Sequence, residues 1–248
     1  DLPSPLADGQ TARLTVAFSG SPVPEAIMGF AFQQTGQGAP VAVTVSEPWS
    51  ARSWWPCKDD PQDKATVTTT VGVPDGITAV GNGNLVARTP LPAGDGRDRH
   101  APRTEFTWHE SYPIPTYLVS LCASQYTELQ QSYDGSAGPL DLRHYVYPEL
   151  ADAAAQQFAI LPDMLDFCGD LLGALPFAGE KYGMAMCNWD GAMEHPTAVT
   201  WGDYLTAEHS DVHRIIIMHE LAHQWFGNLI TPVDWTHIWL NEAFATYV

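Results

Sequence analysis

The sequence predicts an α+β fold: an antiparallel β-rich first part, residues 1–128, followed by a mixed α/β second part, residues 129–248. Three observations carry that expectation. Short β-branched runs broken by Gly, Pro and Asn fill the first half. Apolar residues at helical spacing appear only in the second half. The composition, 45% apolar and 16% charged over 248 residues, supports a packed core and argues against disorder.

The elements follow in order. Residues 13–18 (RLTVAF), 65–71 (ATVTTTV) and 116–121 (TYLVSL) read as strands. Asn82-Gly83, inside VGNGNLV, is a turn signal between two further runs. Residues 90–103 form a polar, Gly/Pro-rich loop, expected to be mobile. The character changes near residue 128, and Gln130 to Pro139 reads as a polar linker before another strand, LRHYVY. Leu150 to Leu172 is helical, with Pro162 as a kink or break. Residues 181–187 (KYGMAMC) read as an edge strand leading into a loop from Asn188 to Pro196. Asp211 to Phe226 is a helix capped by Ser210 or Asp211 and ended by Gly227. Ile215, Met218, Ala222 and Trp225 or Phe226 are its expected buried stripe. A last helix starts near Thr236.

The net charge is -18, from 29 acids against 11 bases. Nucleic acid is excluded as a partner on that footing, because phosphate recognition needs a positive surface. No run approaches the ~18 apolar residues of a membrane span. The four cysteines (Cys57, Cys122, Cys168 and Cys187) form no CxxC pair and are expected to be buried free thiols. The opening residues, Asp1-Leu2-Pro3-Ser4, are neither basic nor apolar, and the chain stops inside a helical pattern at Phe244 to Val248. Both ends therefore read as cut, and both parts as partial; the compartment stays open.

Chemistry concentrates in His219-Glu220-Leu221-Ala222-His223. On a helix, positions i and i+4 share a face, so two imidazoles there converge on one zinc ion. Glu220, between them, reaches a metal-bound water as general base. A catalytic zinc takes three protein ligands, and Glu242 in WLNEA, on the next helix, supplies the third. The set predicts one Zn²⁺ per chain at His219, His223 and Glu242.

HELAH, then WFGNLITP, then WLNEAFATY resembles the M1 (aminopeptidase N) family within the thermolysin-like zinc peptidases. The resemblance implies an N-terminal β domain followed by a thermolysin-like α/β zinc-peptidase domain. Gly191-Ala192-Met193-Glu194-His195 looks like the family's GxMEN loop. That match implies Glu194 as the group binding the substrate's free α-amine, with Gly191, Ala192 and Met193 lining the peptide. SEPWSARSWWPCKDDPQDKAT resembles a family segment that places a second amine-binding group at Glu47, five positions before Arg52.

His195 stands where many members carry Asn, and Val45 where many carry Gln. The family's transition-state tyrosine falls beyond Val248, so this chain alone is expected to have at most trace activity. The implied activity is removal of single residues from peptides with a free N-terminus. A bifunctional epoxide hydrolase/aminopeptidase and a non-catalytic M1-like scaffold are the alternatives; the intact HExxH with Glu242 argues against the scaffold.

Overall fold

In the computed structural model, residues 6–22, 28–92, 102–207 and 212–248 are described. The first part contains strands β1 (Gly29–Gln34), β2 (Pro40–Val45), β3 (Ala65–Pro74), β4 (Thr78–Gly81), β5 (Asn84–Leu91), β6 (Arg103–Ile114) and β7 (Leu121–Ser124). They make two antiparallel sheets, in the orders β1-β2-β7-β4 and β3-β6-β5. Strand alternation builds the core between them. In β6 every second residue from Thr104 to Glu110 is buried, which puts Phe106 and Trp108 inside.

The second part opens with a hairpin, β8 (Thr127–Gly135) and β9 (Gly138–Val146). Helices α1 (Ala151–Phe158) and α2 (Leu161–Leu172) follow. Pro162 sits in the first turn of α2, where a missing N–H breaks no helical bond, so the long apolar run divides there. Strands β10 (Met184–Cys187), β11 (Ala192–Met193) and β12 (Val199–Gly202) complete a mixed sheet in the order β11-β12-β10-β9-β8. The short α3 (Asp203–Ala207), then α4 (Val212–Ala222) and α5 (Trp239–Tyr247) close the described chain. The architecture is α+β, with antiparallel sheets followed by a mixed sheet and helices.

Several elements differ from the sequence reading. Residues 13–18 form no strand: Leu14 and Phe18 are exposed, and no neighbouring strand supplies ladder partners among the described residues. Residues 116–118 make a 3₁₀ turn, and β7 starts only at Leu121. Gln130 to Pro139 is no linker; its polarity is that of hairpin strands with one wetted face. Residues 184–187 are central and parallel, paired on both sides and wholly buried, while β11 takes the edge.

Helix α4 ends at Ala222, and its buried residues are Ile217, Glu220, Leu221 and Ala222; Ile215 is 70% exposed. The buried face is thus rotated from the expected stripe, toward the face that carries Glu220. The expected caps, Ser210 and Asp211, lie outside the described residues, as do residues 93–101 of the Gly/Pro-rich loop. All four cysteines are free; three are buried and Cys57 is half-buried.

Candidate active site

The site forms where α4, α5, the β11 loop and the end of β2 meet. Helix α4 presents His219 and His223 one turn apart, and the amide of His223 still bonds to the carbonyl of His219. Beyond His223 the chain turns sharply at Gly227, whose φ is +115°. A Cβ there would stand 3.0 Å from Asn241 Nδ2 and 3.3 Å from His223 Nδ1, so glycine lets α5 close against α4. Asp234 starts the next turn by accepting a bond from the Thr236 amide at 2.9 Å.

His219 Nε2 and His223 Nε2 lie 2.9 Å apart. Glu242 Oε2 is 3.3 Å from the first and 3.8 Å from the second. The circle through these three atoms has a radius of about 2.0 Å, matching a zinc–nitrogen or zinc–oxygen bond of ~2.0–2.2 Å. His223 Nδ1 donates to the carbonyl of Phe226 at 3.0 Å, which leaves the lone pair on Nε2 facing the other two donors. Burial pushes the His223 imidazole down to about 4, with His219 beside it adding to the shift, so it is neutral at pH 7. Glu242 is held below the ordinary carboxylate range by its hydrogen bond to His219. Its side chain is 45% exposed, more open than its apolar neighbours in sequence imply. These three donors suit a zinc ion.

A second group of acids adjoins this triad. Glu47, Glu194 and Glu242 lie within 4.8 Å of one another, and Glu194, Glu220 and His223 form a further such group. A cleft of about 170 Å³ is lined by Glu47, Glu194, Glu220, Glu242 and both histidines. Val45, Ala192 and Met193 also line it. Gly191 lies outside that lining; its carbonyl pairs with the Gly202 amide at 2.9 Å.

Burial, then Glu194 and Glu242, push Glu47 up to about 9. Burial is also the largest influence on Glu194, raised to about 7, and Tyr117 partly offsets it through a hydrogen bond. Glu220 is raised well above its ordinary value, first by burial and then by Glu194, Glu242 and Glu47. Glu194 Oε1 and Glu220 Oε2 are buried without a partner. Orphaned acceptors facing one cleft call for a cationic or proton-donating ligand.

Sequence reasoning missed the residues that hold these groups. Asn228 Nδ2 donates to the Glu194 carbonyl at 2.7 Å, and Gln224 Nε2 approaches it at 3.4 Å. Tyr117, from the first part, accepts from Asn241 Nδ2 on α5 at 3.2 Å. Its ring packs edge-on against Trp235 at 4.9 Å. None has a local signature; each acts across a long sequence separation.

The sequence model of the peptidase M1 N-terminal domain matches residues 1–118, and that of the peptidase family M1 domain matches residues 174–248. This chain belongs to peptidase family M1. The M1 chain is 32% identical over 248 residues to glutamyl aminopeptidase of Rattus norvegicus, covering 95% of this chain and 25% of that protein. It is 30% identical over 230 residues to aminopeptidase M1-B of Oryza sativa subsp. japonica, covering 88% of this chain and 24% of that one. It therefore spans about a quarter of the length of the curated relatives it matches.

A two-domain M1 zinc metallopeptidase bound to L-tryptophan aligns with a TM-score of 0.72 at 26% identity, over 88% of this chain and 46% of that one. An M1 zinc metallopeptidase from Deinococcus radiodurans bound to a Tyr-Ser-Ala substrate aligns with a TM-score of 0.68 at 25% identity, over 88% and 46%.

Proposed function

We propose that this M1 chain carries the zinc centre and the N-terminus-binding end of an aminopeptidase site that releases single residues from peptides. The observation that carries this reading is the cluster of Glu47, Glu194 and Glu242 beside His219 and His223. Three carboxylates this close repel unless protons or cations come between them. A metal on Glu242 and a substrate ammonium between Glu47 and Glu194 relieve that repulsion. The ammonium would then set the first peptide bond, and no later one, against His219, His223 and Glu242.

His219, His223 and Glu242 would hold one zinc ion. When bound, zinc supplies Lewis acidity to the scissile carbonyl and to the attacking water, whose pKa falls to ~7. Glu220 takes a proton from that water on Oε2 and returns it to the leaving amine. Glu220 is buried with Oε2 unpartnered, so that oxygen is free to hold the proton between the two events. Ala192 and Met193 line the peptide, with Gly191 holding their strand to Gly202; β11 is an edge strand, so its outer backbone groups can pair with an extended chain. The division of the chain into 1–128 and 129–248 is part of the same reading; the change of sheet supports a division just before that boundary, between β7, which ends at Ser124, and β8, which starts at Thr127. The relatives' names and the solved complex with a Tyr-Ser-Ala substrate point the same way.

The test is cleavage of one peptide with its N-terminus free or acetylated by the zinc-loaded full-length protein. The free form is cleaved and the acetylated form is cut roughly 10²-fold more slowly or worse, because a site built around a hydrogen-bonded group rejects its absence. Equal rates would replace the exopeptidase with an endopeptidase.

A further inference from the structure

Three residues past Glu194, the backbone departs from what its sequence favours. Thr197 is β-branched, yet its φ is +66°. A bulky branched residue in the left-handed region is strained, and such strain persists only where the surroundings over-determine it. Here they do. The Gly83 amide donates to Thr197 Oγ1 at 2.6 Å. Lys181 Nζ donates to the Thr197 carbonyl at 3.3 Å and to the Gly81 carbonyl at 3.1 Å. Asn82 Nδ2 donates to the Pro196 carbonyl at 3.0 Å, and its Oδ1 accepts from the Ser120 amide at 2.8 Å.

All three grips come from buried groups. Lys181 is 3% exposed, with its ammonium 4.6 Å above the ring of Trp108. Burying an ammonium is unfavourable, and burial lowers Lys181 to about 7; the two carbonyls take two of its three donors and the Trp108 ring faces its charge. Gly83 is required at its place: its φ is +78°, and a Cβ there would meet the His109 carbonyl oxygen at 1.9 Å. The turn between β4 and β5 and the lysine before β10 therefore act together on one short segment. That segment continues directly from the Glu194 carboxylate, whose own carbonyl is held from the other side by Asn228.

We propose that Asn82, Lys181 and Thr197 are positioning residues that hold the loop bearing Glu194 at the reach a substrate ammonium needs. The inference rests on the reading of Glu194 as the amine anchor. These residues touch no substrate. They fix the loop from its far end, so that the Glu194 carboxylate stays aimed into the cleft despite repulsion from Glu47 and Glu242. Released, the loop relaxes away from the other acids, and recognition of the amine suffers while the metal ligands are untouched.

The test uses two inhibitors of the zinc-loaded protein: leucine hydroxamate, and the same hydroxamate without its α-amine. Thr197→Gly accepts the left-handed φ without strain but loses the hydroxyl; Thr197→Ser restores it. Thr197→Gly and Lys181→Met are expected to weaken leucine hydroxamate roughly ten- to hundredfold, as a displaced binding group does, with the des-amino compound and zinc content unchanged. Thr197→Ser keeps the amine preference. Should Lys181→Met fail to fold, Thr197→Gly decides alone, because glycine suits that backbone. Loss of the preference in Glu194→Ala with its full retention in Thr197→Gly overturns this inference and leaves the anchor reading intact. Retention of the preference in Glu194→Ala overturns both.

Discussion

Asn228 Nδ2 donates to the backbone carbonyl of Glu194 at 2.7 Å, tying the turn that follows the two histidines to the loop that carries this acid. Asn228 is itself fully buried, and its amide bonds to the carbonyl of His223 at 3.1 Å. One residue thus links His223 to the loop that carries the Glu194 carboxylate. Removing it leaves the buried carbonyl with only the 3.4 Å contact from Gln224.

Asn228→Ala is therefore expected to lower stability by about 1–3 kcal/mol, the desolvation penalty of a buried acceptor left without its partner. It should also raise KM for free-amine peptides severalfold while zinc content holds. Urea unfolding and steady-state kinetics check the two parts. Wild-type values for both would mean that the bond does not hold that loop.

In the full-length protein, Glu220→Gln should keep zinc content near wild type and lower kcat about 10²–10⁴-fold, the usual contribution of a general acid–base group. Glu220 is no member of the three-donor set of His219, His223 and Glu242, so metal binding and turnover separate. Metal analysis alongside kinetics makes the comparison, and activity within about twofold of wild type would remove Glu220 from the chemistry.

A pH effect arises away from the cleft. Burial, and then Glu180 beside it, push Glu110 up to about 9. The folded chain keeps a proton there that the unfolded chain releases above the ordinary carboxylate range. Stability from this group is complete at low pH and declines as pH rises toward 9. Glu110→Gln has no such titration. Its stability relative to wild type should climb between pH 5 and pH 8, by at most about 1.4 kcal/mol per unit. Denaturant melts at several pH values measure this. A difference that stays flat or falls with pH would show Glu110 ionised in the fold.

The parts of the site legible in the sequence were those set by local spacing. His219, Glu220 and His223 are placed by one helical turn, and Glu242 by the next helix in the chain. Asn82-Gly83 was legible as a turn, yet β4 and β5 do not pair; the turn passes the chain from one sheet to the other. Tyr117, Asn228, Asn241 and Lys181 were not legible, because their partners are chosen by tertiary contact. Residues 181–187 read as an edge strand but are central; a lysine ordinarily marks solvent, and at Lys181 backbone carbonyls take the place of water. Ile215 misled in the opposite sense, as an apolar residue on the open face of α4.

The central claim is that His219, His223 and Glu242 hold one zinc ion beside the acids that receive the substrate amine. Anomalous scattering at the zinc edge, on crystals grown with zinc, tests it most directly. The account predicts one strong peak per chain, within ~2.0–2.2 Å of His219 Nε2, His223 Nε2 and Glu242 Oε2. A filled site elsewhere, or one coordinated without any one of these three residues, would contradict it.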